Sequence, residues 1–242
     1  MLEKPEKTAV DTPFGKPSSE IVTGNFEGTK VGFLFRHGPK HTIPPHKINF
    51  RANMHALKEL GAKRIIGIAA VGSLKDDIHP GDMVFPDQLI DWGKEVTTYF
   101  DGPEVRHTPF ADPFCPEMRE ALIKNAKRLG IKFHEKGTYL RVSGPRFSTR
   151  AESRMFRQFA DVIGMTCIPE AILARELGIC YAAIAAVTDY DVYKEKAVEI
   201  SDVIRTMKSN SEKIERLLGA VIPSMPEKKG CDCGEAPEKA KM

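Results

Sequence analysis

Thr188-Asp189-Tyr190-Asp191 is the segment whose residue types point most directly to chemistry. It follows Ile179 to Val187, the most apolar run of the chain, which reads as a central strand covered on both faces. Two carboxylates emerging from a buried strand end are costly unless paired or hydrogen-bonded. A purine with an exocyclic amine would supply donors to them. A carboxylic acid here could also protonate or bond N7 and make the base a better leaving group. The competing explanation is structural: a strand-end turn whose aspartates cap the next segment.

Arg36-His37-Gly38 comes just after Val31 to Phe35, which reads as a buried strand. Ligands gather at the carboxyl ends of strands in α/β sheets. A forked guanidinium and an imidazole beside a glycine turn suit a phosphate, and they equally suit a basic surface turn. His37, His41 and His46 are close in sequence. However, Gly38-Pro39 breaks the helix that i, i+4 metal ligation would need, and no carboxylate is adjacent, so no metal is expected there. The dinucleotide glycine fingerprint, the Gly-Lys-Ser/Thr loop and the Gly-x-Ser-x-Gly elbow are all absent.

The elements that must position these groups alternate strand and helix. Pro44-Pro45 precedes a helix from about His46 to Leu60, with Gly61 after it. Arg64 to Ala70 reads as a strand entering a turn at Val71-Gly72-Ser73, and Met83 to Phe85 as a short strand. Pro116 opens a second helix. Tyr139 to Val142 and Asp161 to Met165 read as strands, Ala151 to Phe159 as a helix, and Pro169 opens another that ends at Gly178. Ser201 caps the last helix. The pattern predicts a single α/β domain with a mixed or largely parallel central sheet flanked by helices, over residues 1–223. Residues 224–242 read as a polar, partly disordered tail.

Composition narrows the function classes. The chain has 242 residues and a formal net charge of +3, with Lys and Arg interleaved with Asp and Glu. Nucleic-acid binding is not supported. No apolar run reaches membrane-span length, and the start lacks a signal-peptide core, so a cytoplasmic protein is expected. Of five cysteines, Cys115, Cys167 and Cys180 read as small buried hydrophobes. Cys231 and Cys233 form a Cys-x-Cys pair with no second pair beside it, which leaves a zinc site incomplete. A tail disulfide, as in hyperthermophile cytosols, is the other reading.

Taken together, several motifs resemble the 5'-methylthioadenosine phosphorylase branch of the purine nucleoside phosphorylases. They are His46-Lys47-Ile48-Asn49-Phe50-Arg51-Ala52-Asn53, Val71-Gly72-Ser73-Leu74, Asp112-Pro113-Phe114-Cys115, Gly144-Pro145-Arg146-Phe147-Ser148-Thr149-Arg150-Ala151-Glu152-Ser153, Gly164-Met165-Thr166 and Thr188-Asp189-Tyr190-Asp191. The similarity runs in order from about Val10 to Pro223, and the Cys-x-Cys tail resembles that of some archaeal members. The resemblance implies a purine nucleoside phosphorylase-like fold with a mixed, partly barrel-like sheet, assembled as a homotrimer or a dimer of trimers. It implies phosphorolysis of methylthioadenosine to adenine and 5-methylthioribose 1-phosphate, with phosphate as co-substrate and no cofactor. Arg36, His37, Thr166 and the backbone at Ala70 would hold phosphate, with His41 nearby. Met165 would contact the ribose and Phe147 the base or sugar. Asp189 would address N7 and the amine, supported by Asp191. Ile200 and Val203 would line the 5'-methylthio pocket, and His107 would reach into a neighbouring subunit's site.

The chain departs from that pattern on the phosphate side. No Gly-Gly-Ser/Thr-Gly turn lies upstream of Asp11, Ala69 stands where Ser or Thr is usual, and Ser143 replaces a usual Glu. Each hydrogen bond to a charged group is worth roughly 1.5–3 kcal/mol, so weakened phosphate binding is expected. Either the recorded start lies beyond the missing turn, or the chain is a divergent purine-nucleoside-binding paralogue, hydrolytic or non-catalytic. A 6-oxopurine phosphorylase is disfavoured, because an ionised Asp189 offers only acceptors to an acceptor at position 6.

Overall fold

The apolar run before Thr188 forms the strand through the centre of the sheet. The protein is described from a computed structural model, over residues 2–194, 199–228 and 230–241. In chain order the elements are β1 (Glu3–Thr8), β2 (Ile21–Phe26), β3 (Thr29–Phe33), α1 (Phe50–Glu59), β4 (Arg64–Ser73), β5 (Met83–Val84), β6 (Gln88–Asp91), α2 (Pro116–Arg128), β7 (Phe133–His134), β8 (Thr138–Arg141), α3 (Arg150–Phe156), β9 (Val162–Gly164), α4 (Cys167–Glu176), β10 (Cys180–Tyr190), α5 (Ile200–Ser224) and α6 (Ala236–Lys239). The seven-stranded sheet has the order β6-β8-β9-β4-β10-β5-β7 and mixes parallel and antiparallel pairs. This is the single-domain α/β architecture with a mixed sheet that the strand–helix alternation predicts.

The alternation of β10 explains the layers. Tyr181, Ala183, Ala185 and Val187 pack on one face with Met54 of α1 and with Cys167, Ile168 and Ala171 of α4. Cys180, Ala182, Ile184 and Ala186 pack on the other with Met118 and Leu122 of α2 and Ile214 and Leu217 of α5. A period of two puts successive side chains on opposite faces, so an unbroken apolar run marks a strand covered on both sides.

Two strand glycines lie under tyrosines. A Cβ at Gly67 of β4 would overlap the Tyr181 hydroxyl, and one at Gly164 of β9 would overlap that of Tyr139. Both tyrosines are buried. Gly67→Ala is therefore expected to destabilise the fold by about 1–3 kcal/mol through overpacking. A thermal melt of the variant measures this, and an unchanged Tm would show that the ring can move aside.

Several sequence expectations change. β4 continues through Val71-Gly72-Ser73, where the sequence predicts a turn, and α4 starts at Cys167, ahead of Pro169. Val31 to Phe35 is not a buried central strand: β3 ends at Phe33 and lies at the edge of a separate three-stranded antiparallel sheet, β1-β2-β3. Phe33 and Phe35 are 39% and 51% exposed. A short apolar run has no feature that separates core from edge when the partner strands are unknown. The last helix begins at Ile200 with Glu199, not Ser201, at its N-cap. The C-terminal segment is ordered against the core: Cys233, Ala236 and Ala240 are buried, and Arg106 bridges to Lys241. Its polar composition hid three small apolar anchors. Among the described residues, no helix is long and apolar enough to cross a membrane.

Candidate active site

β4 and β10 run parallel in register from Cys180↔Arg64 to Val187↔Val71, and then the register shifts so that Asp189 pairs with Gly72. Thr188 is the extra residue. Such a bulge bends a strand and re-aims its next side chain. The Thr188 hydroxyl lies 3.2 Å from Val71 O and 2.8 Å from Asp189 Oδ2, which fixes the carboxylate. A Cβ at Gly72 would stand 3.1 Å from Asp189 Oδ1, so glycine leaves that approach open. Burial pushes the Asp189 carboxyl up to about 6; Thr188 opposes this, and the Asp191 charge adds to it.

Asp191 is buried, with its N–H bonded to Ser73 O at 3.0 Å. Burial raises its pKa, and the Ser153 and Ser148 hydroxyls nearby hold it down in part. Asp191 Oδ2, Ser148 Oγ and Ser153 Oγ are nevertheless all buried without a hydrogen bond of good geometry. Buried polar atoms are nearly always paired, so acceptor capacity left over at Asp191 suits a donor from outside the protein. Ser148 and Ser153 escaped the sequence reading as Asp191 partners. Their nearness depends on α3, which starts with a complete Thr149–Glu152 capping box.

The same row across the sheet brings in β9. Ile163 pairs with Gly72, which pairs with Asp189, so Met165 and Thr166 emerge beside the bulge. Gly144 has φ +68, and a Cβ there would meet the Met165 sulfur. Glycine thus satisfies both the backbone and the packing at this turn. Phe147 follows it, 40% exposed. Arg146 pairs with Glu152 at 2.7 Å, holding the turn against α3.

Thr166 is the N-cap of α4, yet its side chain makes no capping bond. Glu170, in the first turn of α4, accepts from Arg36 Nε at 2.6 Å and Nη2 at 2.8 Å, and from the Tyr181 hydroxyl at 2.7 Å. Arg36 Nη1 also donates to Ile68 O. Burial works against the guanidinium charge, but Glu170 more than restores it and the Arg36 pKa is raised. Glu170 is the main residue the sequence reading missed. A lone carboxylate in the otherwise apolar first turn of α4 was the available signal.

His37 Nδ1 sits 2.9 Å from Ile43 O, so it carries the proton, and the ring stacks on His41 with centroids 4.4 Å apart. Desolvation lowers the His37 pKa, leaving the ring neutral near pH 7 with Nε2 as an acceptor. Ala70 is exposed on β4, whereas Ala69 is buried in the core. The residue at 69 is therefore also a packing position, which gives alanine a structural reason.

The remaining expected residues lie further out. Ile200 is 57% exposed and Val203 half-buried at the start of α5, beyond Glu199; residues 195–198 lie outside the described residues. His107 is exposed, and its N–H donates to Ala240 O at 2.9 Å, which ties it to the C-terminal segment.

Comparison with known proteins matches this arrangement. The profile of the phosphorylase superfamily matches residues 2–223. The S-methyl-5'-thioadenosine phosphorylase of Thermofilum pendens is 55% identical over 99% of this chain and 92% of its own. That of Pyrococcus abyssi is 54% identical over 97% and 92%. A methylthioadenosine phosphorylase crystal structure from an Antarctic soil metagenomic library superposes with a TM-score of 0.94 at 40% identity, covering 100% of this chain and 87% of the other. The Schistosoma mansoni methylthioadenosine phosphorylase in complex with adenine gives 0.91 at 35% identity, covering 98% and 91%. With fold, strand-end carboxylates and near full-length similarity in agreement, the chain belongs to the phosphorylase superfamily, in its S-methyl-5'-thioadenosine phosphorylase branch.

Proposed function

We propose that this chain catalyses phosphorolysis of S-methyl-5'-thioadenosine to adenine and 5-methylthioribose 1-phosphate, a pentosyl transfer serving purine and methionine salvage. The observation that carries it is the pair of carboxylates at the β10 bulge, with Asp189 raised to about 6 and Asp191 retaining a free acceptor. In its acid form Asp189 donates to N7, while Asp191 Oδ2 accepts from the 6-amino group. As the C1'–N9 bond breaks, its electron pair enters the base, N7 takes the proton, and positive charge builds on the ribose. A phosphate oxygen attacks C1' and offsets that charge electrostatically.

Phosphate would lie at the head of α4, where the helix N-terminus and the Thr166 hydroxyl, which makes no capping bond, favour an anion. Arg36 would supply the positive charge and the amide at Ala70 a further donor. Neutral His37 would accept a hydrogen bond from the hydroxyl of monohydrogen phosphate through Nε2. Phosphate binding is the weaker half of this site, because the Arg36 fork is already engaged by Glu170 and Ile68 O. Met165 and Phe147 would flank the ribose and base, with His41 behind the phosphate. Ile200 and Val203 would receive the methylthio group. Apolar pockets discriminate by only about 1–3 kcal/mol per group, so adenosine is expected as a slower substrate.

The functional unit would be residues 1–223, working in the cytoplasm as a homotrimer, with His107 completing a neighbouring site.

The pH dependence tests the acid. Asp189 is raised, so its acid form is populated below about pH 6 and lost as pH rises through that value. The profile of kcat/KM for methylthioadenosine is expected to carry a descending limb there, falling about tenfold per unit at higher pH. A profile flat from pH 5 to 8 would remove Asp189 as the proton donor.

A further inference from the structure

We propose that Cys115, Cys180, Cys231 and Cys233 together bind one zinc ion, in a tetrathiolate centre that fastens the C-terminal segment to the core. Their sulfurs all lie within 4.8 Å of one another. Cys231 Sγ is 3.6 Å from that of Cys115 and 3.3 Å from that of Cys180. Four sulfurs about 2.3 Å from one ion form a tetrahedron with edges of about 3.8 Å, and thiolate in fours is the donor set of structural zinc. Cys115, Cys180 and Cys233 are buried and Cys231 is partly so, which makes a closed site.

The surroundings are built for thiolate. Cys115 is the N-cap of the thirteen-residue α2, where helix amides favour a negative sulfur. Its own N–H donates to Tyr181 O at 2.8 Å, locking it beside Cys180 at the start of β10. The other pair is presented by a polar clamp: Glu117 accepts from Gly230 N–H at 2.6 Å and pairs with Arg64 at 3.0 Å. Each thiol that binds releases its proton to solvent, and no redox step is needed. The Cys-x-Cys pair is incomplete only in sequence, because its partners arrive from α2 and β10. The centre would hold the segment whose Ala240 carbonyl receives the His107 N–H.

The test is metal analysis of the full chain, purified without chelator under reducing conditions and then supplied with zinc. About one zinc per chain is expected. Cobalt replacement should give the intense near-ultraviolet thiolate-to-metal band of a tetrahedral sulfur site. The double variant Cys231→Ser/Cys233→Ser should lose at least about tenfold in bound metal. Asp232→Ala, at an exposed position between the two cysteines, should retain it. Fewer than about 0.1 zinc per chain with four free thiols would overturn the proposal. So would an intact mass lacking the hydrogens of one or two disulfides among these cysteines, or undiminished zinc in the double variant.

Discussion

Asp189→Asn is expected to lower kcat/KM for methylthioadenosine by about 10²–10⁴-fold, the usual contribution of a positioned general acid. The same substitution is expected to shift the ratio of activities toward methylthioinosine. The side chains are nearly isosteric, and Thr188 can rotate its hydroxyl to bond an amide as well as a carboxylate. What changes is the proton inventory. Asparagine cannot protonate N7 of adenine, but its amide can donate to a 6-oxopurine at every pH, which Asp189 can do only in its acid form. Steady-state kinetics with both nucleosides measure the shift. An unchanged substrate ratio would mean that base identity is read elsewhere, and the descending pH limb should vanish with the carboxyl group.

The second large effect concerns Arg36. Arg36→Lys keeps the positive charge but loses the fork that reaches Glu170 through Nε and Nη2. One charge-assisted hydrogen bond to phosphate is worth about 1.5–3 kcal/mol, so KM for phosphate should rise about 10–100-fold. KM for the nucleoside at saturating phosphate should move little, because the carboxylates of β10 are untouched. The Tm should also fall, since Glu170 is left with poorer partners in a buried place. A lower Tm with unchanged phosphate KM would confine Arg36 to a structural role.

Much of the fold was legible because its central features are local. β10 is a continuous apolar run, α2 is opened by Pro116 and closed at Gly130, and the turn after β10 concentrates its polar atoms. Local patterns failed where the outcome depended on distant chain. Val31 to Phe35 has the composition of a core strand, but a hairpin partner holds it at an edge. The Arg36–Glu170 pair spans 134 positions, so neither residue's sequence neighbourhood reveals it. Thr188 as a bulge follows from the register of β4 against β10, which composition does not specify. The cysteines show the same limit. Cys115 and Cys180 sit 65 positions apart (180 − 115) in apolar contexts and look like ordinary small hydrophobes until the tail is folded over them. The candidate base site was legible as a motif, whereas its supports, Ser148, Ser153 and Gly72, depend on tertiary placement.

The central claim is that this site breaks a glycosidic bond with phosphate as the attacking group, although its guanidinium is engaged by Glu170. Adenine release from methylthioadenosine, measured across a phosphate series that starts from phosphate-free buffer, tests it most directly. The account predicts release that depends on phosphate and saturates at high concentration, with 5-methylthioribose 1-phosphate formed in equal amount. Release at the same rate without phosphate, giving free methylthioribose, or tight adenine binding with no turnover at any phosphate concentration, would contradict it.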